Sequence, residues 1–196
     1  MKNELQKLLP ASLNLDSDML DQMQEHWELL LDWNTRVNLT AITNAREAAA
    51  LHYRDSLAAM DHGLCGPVVD MGSGGGFPGI PLAIAMPEAS FTLVEPRRKR
   101  VSFLRTAISR LGLKNVKVRM SRAEDGPEEP FMSLVTRATF SSPEELASLL
   151  PWIKEEGRLY FYRSASYEPV PKSTRVLYEA GTEPRALDLL SPSQIG

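Results

Sequence analysis

Residues 68–81 read Val-Val-Asp-Met-Gly-Ser-Gly-Gly-Gly-Phe-Pro-Gly-Ile-Pro. The apolar pair Val68-Val69 runs into a carboxylate and then into five glycines within eight residues. This pattern predicts a short buried strand, a tight turn and a helix beginning near Ile80. Gly72, Gly74 and Gly76 remove Cβ atoms where the turn or a ligand needs the backbone close. Pro78 and Pro81 fit in the turn and the first helical turn, where no backbone donor is required. The first N–H groups of that helix are expected to face the ligand, and Asp70 sets a carboxylate at the carboxyl end of the strand. A doubly wound α/β sheet holds nucleotide-type cofactors in this way.

Gly74–Gly79 also satisfies G-x-G-x-x-G, a dinucleotide fingerprint that is weak by itself. A pyrophosphate needs a turn without competing negative charge, and Asp70 stands beside this one. The carboxylate suits a ligand carrying an ammonium or sulfonium group better, and S-adenosylmethionine carries both. A glycine-rich surface turn with no ligand is the plainer alternative, against which the glycine density weighs.

Downstream, apolar runs alternate with helical patterns, the signature of parallel βαβ units. Strands are expected near 67–71, 90–95, 115–119, 131–137 and 157–162, with helices near 79–86, 97–111 and 143–153. Two further runs, 173–178 and 185–190, predict a terminal antiparallel hairpin and bring the count to about seven strands. Upstream, Met19, Met23, Trp27, Leu30 and Leu31 recur at helical spacing over 17–34, with Ser17 or Asp16 as cap. A second helix is expected over 45–61. Residues 1–64 are therefore assigned to an N-terminal helical extension and 65–196 to the sheet domain.

Several polar residues fall at strand ends. Glu95 closes the second strand, where a carboxylate binds a ribose diol; capping of the next helix is its structural alternative. NAD and S-adenosylmethionine both fit this geometry, whereas a carboxylate repels the 2′-phosphate of NADP. Ala123-Glu124-Asp125 follows the third strand, within reach of an adenine edge, or forms a plain acidic loop. Arg137 ends the fourth strand and can grip a carboxylate or phosphate, or pair with Asp70 or Glu95. His52, Asp55 and Ser56 are neighbours on one helix and cannot assemble a hydrolase triad; hydrogen bonding between extension and sheet is the expected role. His26 and His62 have no ligand-like companions, so no metal site is expected.

The 196-residue chain has 43% hydrophobic and 24% charged residues, ordinary for a globular protein large enough to bury a core. Its single cysteine excludes a disulfide framework. The start carries charges where a signal peptide needs an apolar stretch, so none is expected, and no run approaches the about 20 apolar residues of a membrane span. A cytoplasmic monomer is expected. Net charge of −3 argues against a nucleic-acid partner, but its distribution argues otherwise. No acidic residue separates Glu95 from Glu124, while Arg97, Arg98, Lys99, Arg100, Arg105, Arg110, Lys114, Lys117, Arg119 and Arg122 fall between them. Polyanions respond to such a local field.

With these residues placed, the chain resembles the bacterial small-subunit rRNA guanine-N7 methyltransferases of the glucose-inhibited division protein B family. The resemblance runs through Trp33-Asn34, Asn38-Leu39-Thr40 and His52-Tyr53-Arg54-Asp55-Ser56-Leu57. It continues through the glycine stretch from Asp70 to Pro81, then Lys99-Arg100, Arg122-Ala123-Glu124 and Thr136-Arg137-Ala138. It implies a class I methyltransferase fold, Rossmann-like, with S-adenosylmethionine as cofactor. The implied substrate is a 16S rRNA guanine near the decoding site, presented on the small ribosomal subunit or a precursor. Gly72, Phe77, Ala123, Glu124 and Arg137 match cofactor-contacting positions of the family. Arg137 is also the candidate catalytic residue, and Arg97, Arg98, Lys99 and Arg100 are the candidate RNA-binding residues.

Beyond residue 140 the agreement thins. Arg163-Ser164 stands where the family usually shows a lysine-glycine pair, 164–175 is too polar and proline-rich for a clear helix, and the usual basic tail is lacking. These departures bear on substrate engagement more than on cofactor binding. Three rivals follow: a methyltransferase acting on a small molecule or protein, an NAD-dependent oxidoreductase, and an RNA-binding module with a relic pocket.

Overall fold

The structure is a computed structural model that describes residues 1–137 and 143–195; Ala138, the last residue of the Thr136-Arg137-Ala138 motif, lies outside the described residues. The N-terminal part holds α1 (Lys2–Leu8) and α2 (Ser17–Asn34). Asp16, not Ser17, caps α2, accepting from the Met19 N–H at 2.8 Å. The second helix of the extension is not uniform. It comprises α3 (Ala45–Ala48), a π-helical segment (Ala49–Arg54), α4 (Asp55–Leu57) and a 3-10 turn (Ala58–His62). Wide helical turns of this kind often mark functional sites, and here His52 and Tyr53 lie on one.

The sheet begins at β1 (Val68–Met71), followed by α5 (Gly79–Ala85), β2 (Phe91–Val94), α6 (Arg98–Leu111), β3 (Val116–Arg119) and β4 (Phe131–Arg137). Then come α7 (Pro143–Ala147), β5 (Ile153–Ser164), β6 (Thr174–Ala180), β7 (Glu183–Leu190) and α8 (Pro192–Ile195). The strands pair in the order β3-β2-β1-β4-β5-β7-β6, parallel except for β7, which runs antiparallel to both neighbours. The order reverses between β1 and β4, so a crevice opens over their carboxyl ends, the usual ligand position in such sheets.

Two elements depart from expectation. The helix expected over 143–153 is only α7 and a 3-10 turn (Leu150–Trp152), because β5 already starts at Ile153. Its pairing with β4 slips between Phe131 and Ser133, and Gly157 sits at the irregularity. A Cβ there would lie 2.7 Å from Ile153 Cγ2 and 2.9 Å from the Met132 carbonyl oxygen, so the bulge requires glycine.

Apolar residues gather on both faces of the sheet. Leu5, Met23, Trp27 and Leu30 from the extension join Ile80, Leu82, Phe91, Phe103 and Tyr160 in one cluster, so extension and sheet share a core. Trp152, Leu149, Phe161 and Leu159 anchor a second cluster on the other face. No helix among the described residues is long and apolar enough to cross a membrane.

Candidate functional site

The loop from β1 to α5 has the backbone that the glycines predicted. Gly72, Gly74 and Gly76 have φ of 80°, 56° and 88°, a region that side-chain-bearing residues rarely adopt. At Gly76 a Cβ would also fall 3.2 Å from His26 Nε2 and collide with Ile80. Gly79 serves a different need. Its missing Cβ lets α5 approach the sheet, where a methyl would sit 2.6 Å from Asp70 Oδ2.

That proximity changes the expected role of the helix start. Asp70 Oδ2 accepts from the Gly79 N–H at 3.0 Å, and the Ile80 N–H donates to the Gly76 carbonyl. These two groups are committed within the fold instead of facing a ligand. Asp70 itself is fully buried, and its Oδ1 has no hydrogen-bond partner. Burial pushes its pKa up to about 7, opposed by the bond from the Gly79 N–H and by the Arg137 charge.

Glu95 bridges the glycine loop and α6. Its Oε2 accepts from the Gly74 N–H at 3.0 Å and its Oε1 from the Arg97 N–H at 2.9 Å. The carboxylate is 2% exposed, yet retains acceptor capacity, since two oxygens offer about four lone-pair sites. Ala123 lies in a 3-10 turn (Ala123–Asp125), buried, with its carbonyl accepting from Trp152 Nε1 at 2.7 Å. Glu124 is exposed.

Phe77 packs among aromatic and cationic groups. The His52 ring stacks on it with centroids 4.3 Å apart, and the Arg137 guanidinium lies 5.2 Å from its centroid. Arg137 pairs with neither Asp70 nor Glu95. Its Nη1 donates to Asp55 Oδ2 at 3.1 Å and to the Leu51 carbonyl at 2.9 Å. Its Nη2 stands 3.4 Å from His52 Nδ1. Since the guanidinium only donates, Nδ1 accepts and Nε2–H is left to bond Thr40 Oγ1 at 2.8 Å. Burial lowers the His52 pKa to about 3, aided by the Arg137 charge, so the ring is neutral.

Nothing in the sequence pattern assigns His26 a role, and the structure gives it one. Its Nε2 donates to the Gly75 carbonyl at 3.1 Å, while the Tyr53 hydroxyl donates to Nδ1 at 2.9 Å. Burial lowers its pKa to about 4, which keeps that tautomer neutral. The extension thereby grips the glycine loop from behind. Asp55 was expected to join extension and sheet, and it does: beside Arg137 it accepts from Tyr178 and from Arg185 Nε, at 2.8 and 2.9 Å. Only spatial proximity exposes these partners, because Tyr178 and Arg185 are 123 and 130 positions away.

The basic stretch divides in two. Arg97, Arg98, Lys99, Arg105, Lys114, Lys117 and Arg122 are exposed. Arg100 turns inward, donating to the Asn38 carbonyl at 3.2 Å and lying 3.9 Å from Glu95 Oε2. Arg110 is also exposed but bonds Glu25, and Arg119 donates to the Gly126 carbonyl over the Trp152 ring. Arg97 and the first turn of α6 thus set exposed cations at the positive end of a helix dipole, where charge repulsion disfavours them. Among the described residues no group of His, Cys, Asp and Glu could hold a metal ion.

A family model described as GidB, rRNA small subunit methyltransferase G, matches residues 19–181. The chain belongs to this family. It is 38% identical over 167 residues to the ribosomal RNA small subunit methyltransferase G of Solibacter usitatus, covering 84% of this chain and 80% of that protein. The protein of the same name from Desulfitobacterium hafniense is 34% identical over 188 residues, 92% of this chain and 78% of its own length. Among solved structures, the S-adenosylmethionine-dependent methyltransferase SibL superposes with a TM-score of 0.61 at 14% identity, covering 87% of this chain and 75% of its own. A SAM-dependent methyltransferase from Aquifex aeolicus gives 0.57 at 17% identity, over 72% and 92%. At such identities the likeness is one of fold, the class I methyltransferase fold with an N-terminal helical extension. Membership of this family supports one class of chemistry, methyl transfer.

Proposed function

We propose that this chain methylates guanine N7 in 16S rRNA of the small ribosomal subunit, near the decoding site, with S-adenosylmethionine as donor. The observation that carries the reading is the juxtaposition of two features in a member of this family. Two buried carboxylates, Asp70 and Glu95, end adjacent parallel strands beside the glycine loop. Exposed cations follow directly from Glu95 onto α6.

The residues present fit the cofactor. The unpartnered Oδ1 of Asp70 is a buried acceptor without a donor, as a site for a cationic ligand requires. Glu95 would accept from the ribose hydroxyls, Gly72, Gly74, Gly76 and Phe77 would line the loop side, and Ala123 and Glu124 would flank the adenine. When bound, the sulfonium supplies an activated methyl group. Guanine N7 has a free lone pair and no proton, so its attack needs no general base. Neutral His52 and His26 accord with that, since neither is placed as a proton acceptor for substrate. Catalysis then rests on holding N7 in line with the methyl, where effective molarities reach about 10⁵ M or more. Arg137, fixed by Asp55, Leu51 and His52, orients the cofactor carboxylate or the target base. Arg97, Arg98 and Lys99 hold RNA phosphates, which position a substrate without reading its sequence. Arg100 acts less directly, from its place between Asn38 and Glu95.

The test is to incubate the protein with labelled S-adenosylmethionine and small subunits from a strain lacking this methylation. Label recovered as N7-methylguanine in 16S rRNA is expected. Label in protein or small molecules alone would replace the substrate; cofactor binding without any transfer would favour the relic reading.

A further inference from the structure

Between β5 and β6 the chain crosses the sheet through residues 165–173 with no helix. This segment holds Tyr167, which is 60% exposed, one of three exposed large apolar side chains among the described residues. Another, Met120, follows the carboxyl end of β3 as Tyr167 follows that of β5, so two of the three lie past carboxyl ends of parallel strands.

Tyr167 is exposed but fixed. Its N–H donates to the Ser164 carbonyl at 3.2 Å, and its own carbonyl accepts from Arg175 Nη1 at 2.5 Å. The Arg163 guanidinium lies 5.2 Å from the Tyr167 ring centroid and 5.0 Å from that of Phe161. Phe161, Arg163 and Tyr167 therefore form a stack that starts in the core and ends in solvent. Fully buried Asp188 holds its base. The carboxylate takes Arg175 through two bonds, at 2.7 and 2.8 Å, and lies 3.6 Å from Arg163 Nη1. Arg163 Nη1 also donates to the Glu168 carbonyl at 3.1 Å. Two arginines and a buried aspartate are thus committed to presenting one aromatic ring.

Its position matters equally. Arg137 pairs in register with Tyr162, so Arg163, one residue further along the adjacent strand, points to the opposite face of the sheet, with Phe161, just where β5 reaches its carboxyl end. Unpaired RNA bases are bound by stacking on aromatic rings and guanidinium planes, and a preordered ring loses little freedom on binding.

We propose that Tyr167 is a stacking platform for an unpaired base of the RNA substrate, held in place by Arg163, Arg175 and Asp188. This rests on the reading of the chain as an rRNA methyltransferase. A ring fixed beside the strand that ends in Arg137 would hold a nucleotide splayed out of its helix while the target base occupies the crevice.

The probe is a short single-stranded RNA carrying 2-aminopurine, whose emission is quenched on stacking, titrated alongside methylation of small subunits. The wild-type protein should bind and quench. Tyr167→Ala should weaken binding about tenfold and restore emission, while S-adenosylmethionine binding is retained. Tyr167→Phe and Tyr167→Trp should keep both affinity and quenching, and an abasic probe should bind wild type and Tyr167→Ala alike. Equal binding and quenching by wild type and Tyr167→Ala, with small subunits still methylated, overturns the platform and leaves the methyltransferase reading standing. Wild-type protein that neither binds RNA nor methylates small subunits overturns both.

Discussion

Asp55 and Asp70 are both fully buried, yet the fold treats them in opposite ways. Asp55, where the extension meets the terminal hairpin, accepts from Arg137, Arg185 and Tyr178. Asp70, beneath the glycine loop, has one backbone N–H on Oδ2 and nothing on Oδ1. A buried charge is tolerated when paired and penalised when left alone. The first site is complete without a ligand. The second retains an electrostatic deficit that a cationic ligand would relieve, and the difference separates the part that holds the fold from the part that awaits chemistry.

The most forceful way to break the contrast is Asp55→Ala. Arg137 and Arg185 have side chains only 14% and 19% exposed, and both would lose their carboxylate. Removing one partner of a buried ion pair costs about 3–5 kcal/mol. Urea denaturation should show a loss of that size; a loss below about 1 kcal/mol would mean that the network is incidental.

Asp70→Asn tests the other half. The native pKa of Asp70 is raised to about 7 from an ordinary 3.8, so the folded state holds a proton that the unfolded chain releases above about pH 4. Its ionisation therefore lowers stability as pH climbs from about 4 to about 7, with no further change above. At about 1.4 kcal/mol per pH unit the upper bound is about 4 kcal/mol. His26 and His52 act oppositely: their pKa values fall to about 4 and about 3, so stability is lost as pH drops below about 6.5. Comparing Asp70→Asn with wild type cancels the histidines. The variant should gain relative stability between pH 4 and 7 and then hold a constant margin. Its affinity for S-adenosylmethionine should be weak and independent of pH, whereas wild-type affinity should rise with pH through about 7. Parallel stability curves would show that Asp70 ionises normally.

Arg137 connects the two regions, as a partner of Asp55 that also lies over Phe77 of the glycine loop. Arg137→Lys keeps the charge but cannot reach Asp55, Leu51 and His52 together. Methyl transfer should fall about a hundredfold, the cost of misplacing a positioned group by about an ångström. Asp55→Asn should lower the same rate with less effect on folding than Asp55→Ala. Unchanged turnover in Arg137→Lys would make Arg137 purely structural.

How much of this was written in the sequence depends on the range of the interaction. The glycine loop is local, and its strand, turn and helix follow from residues 68–81 alone. The parallel strands and the terminal hairpin likewise announce themselves by apolar runs. The start of β5 does not, because Lys154-Glu155-Glu156-Gly157 resembles a turn while the bulge at Gly157 carries the strand through it. The π segment is hidden too, since its spacing differs from an α-helix by only one residue per hydrogen-bonded turn. Least visible are the anchors of Asp55, His26 and Tyr167. A buried aspartate and an exposed tyrosine carry no local pattern, and their partners arrive only when the chain has folded.

The smallest expected effect sharpens the division within the basic stretch. Arg97 and Lys99 are exposed at the start of α6, whereas Arg110 near its end is bonded to Glu25. If phosphate is bound at the helix start, replacing Lys99 with Glu should weaken RNA affinity and reduce the slope of its logarithm against log salt by about 0.7–0.9 for each phosphate released from the protein. Arg110→Gln should leave that slope unchanged, though it removes a cation from the same helix. Slopes lowered in both variants in proportion to the charge removed, two units in Lys99→Glu and one in Arg110→Gln, would show that RNA responds to net charge alone; a lower slope only in Lys99→Glu would locate the phosphate beside Glu95, at the mouth of the crevice.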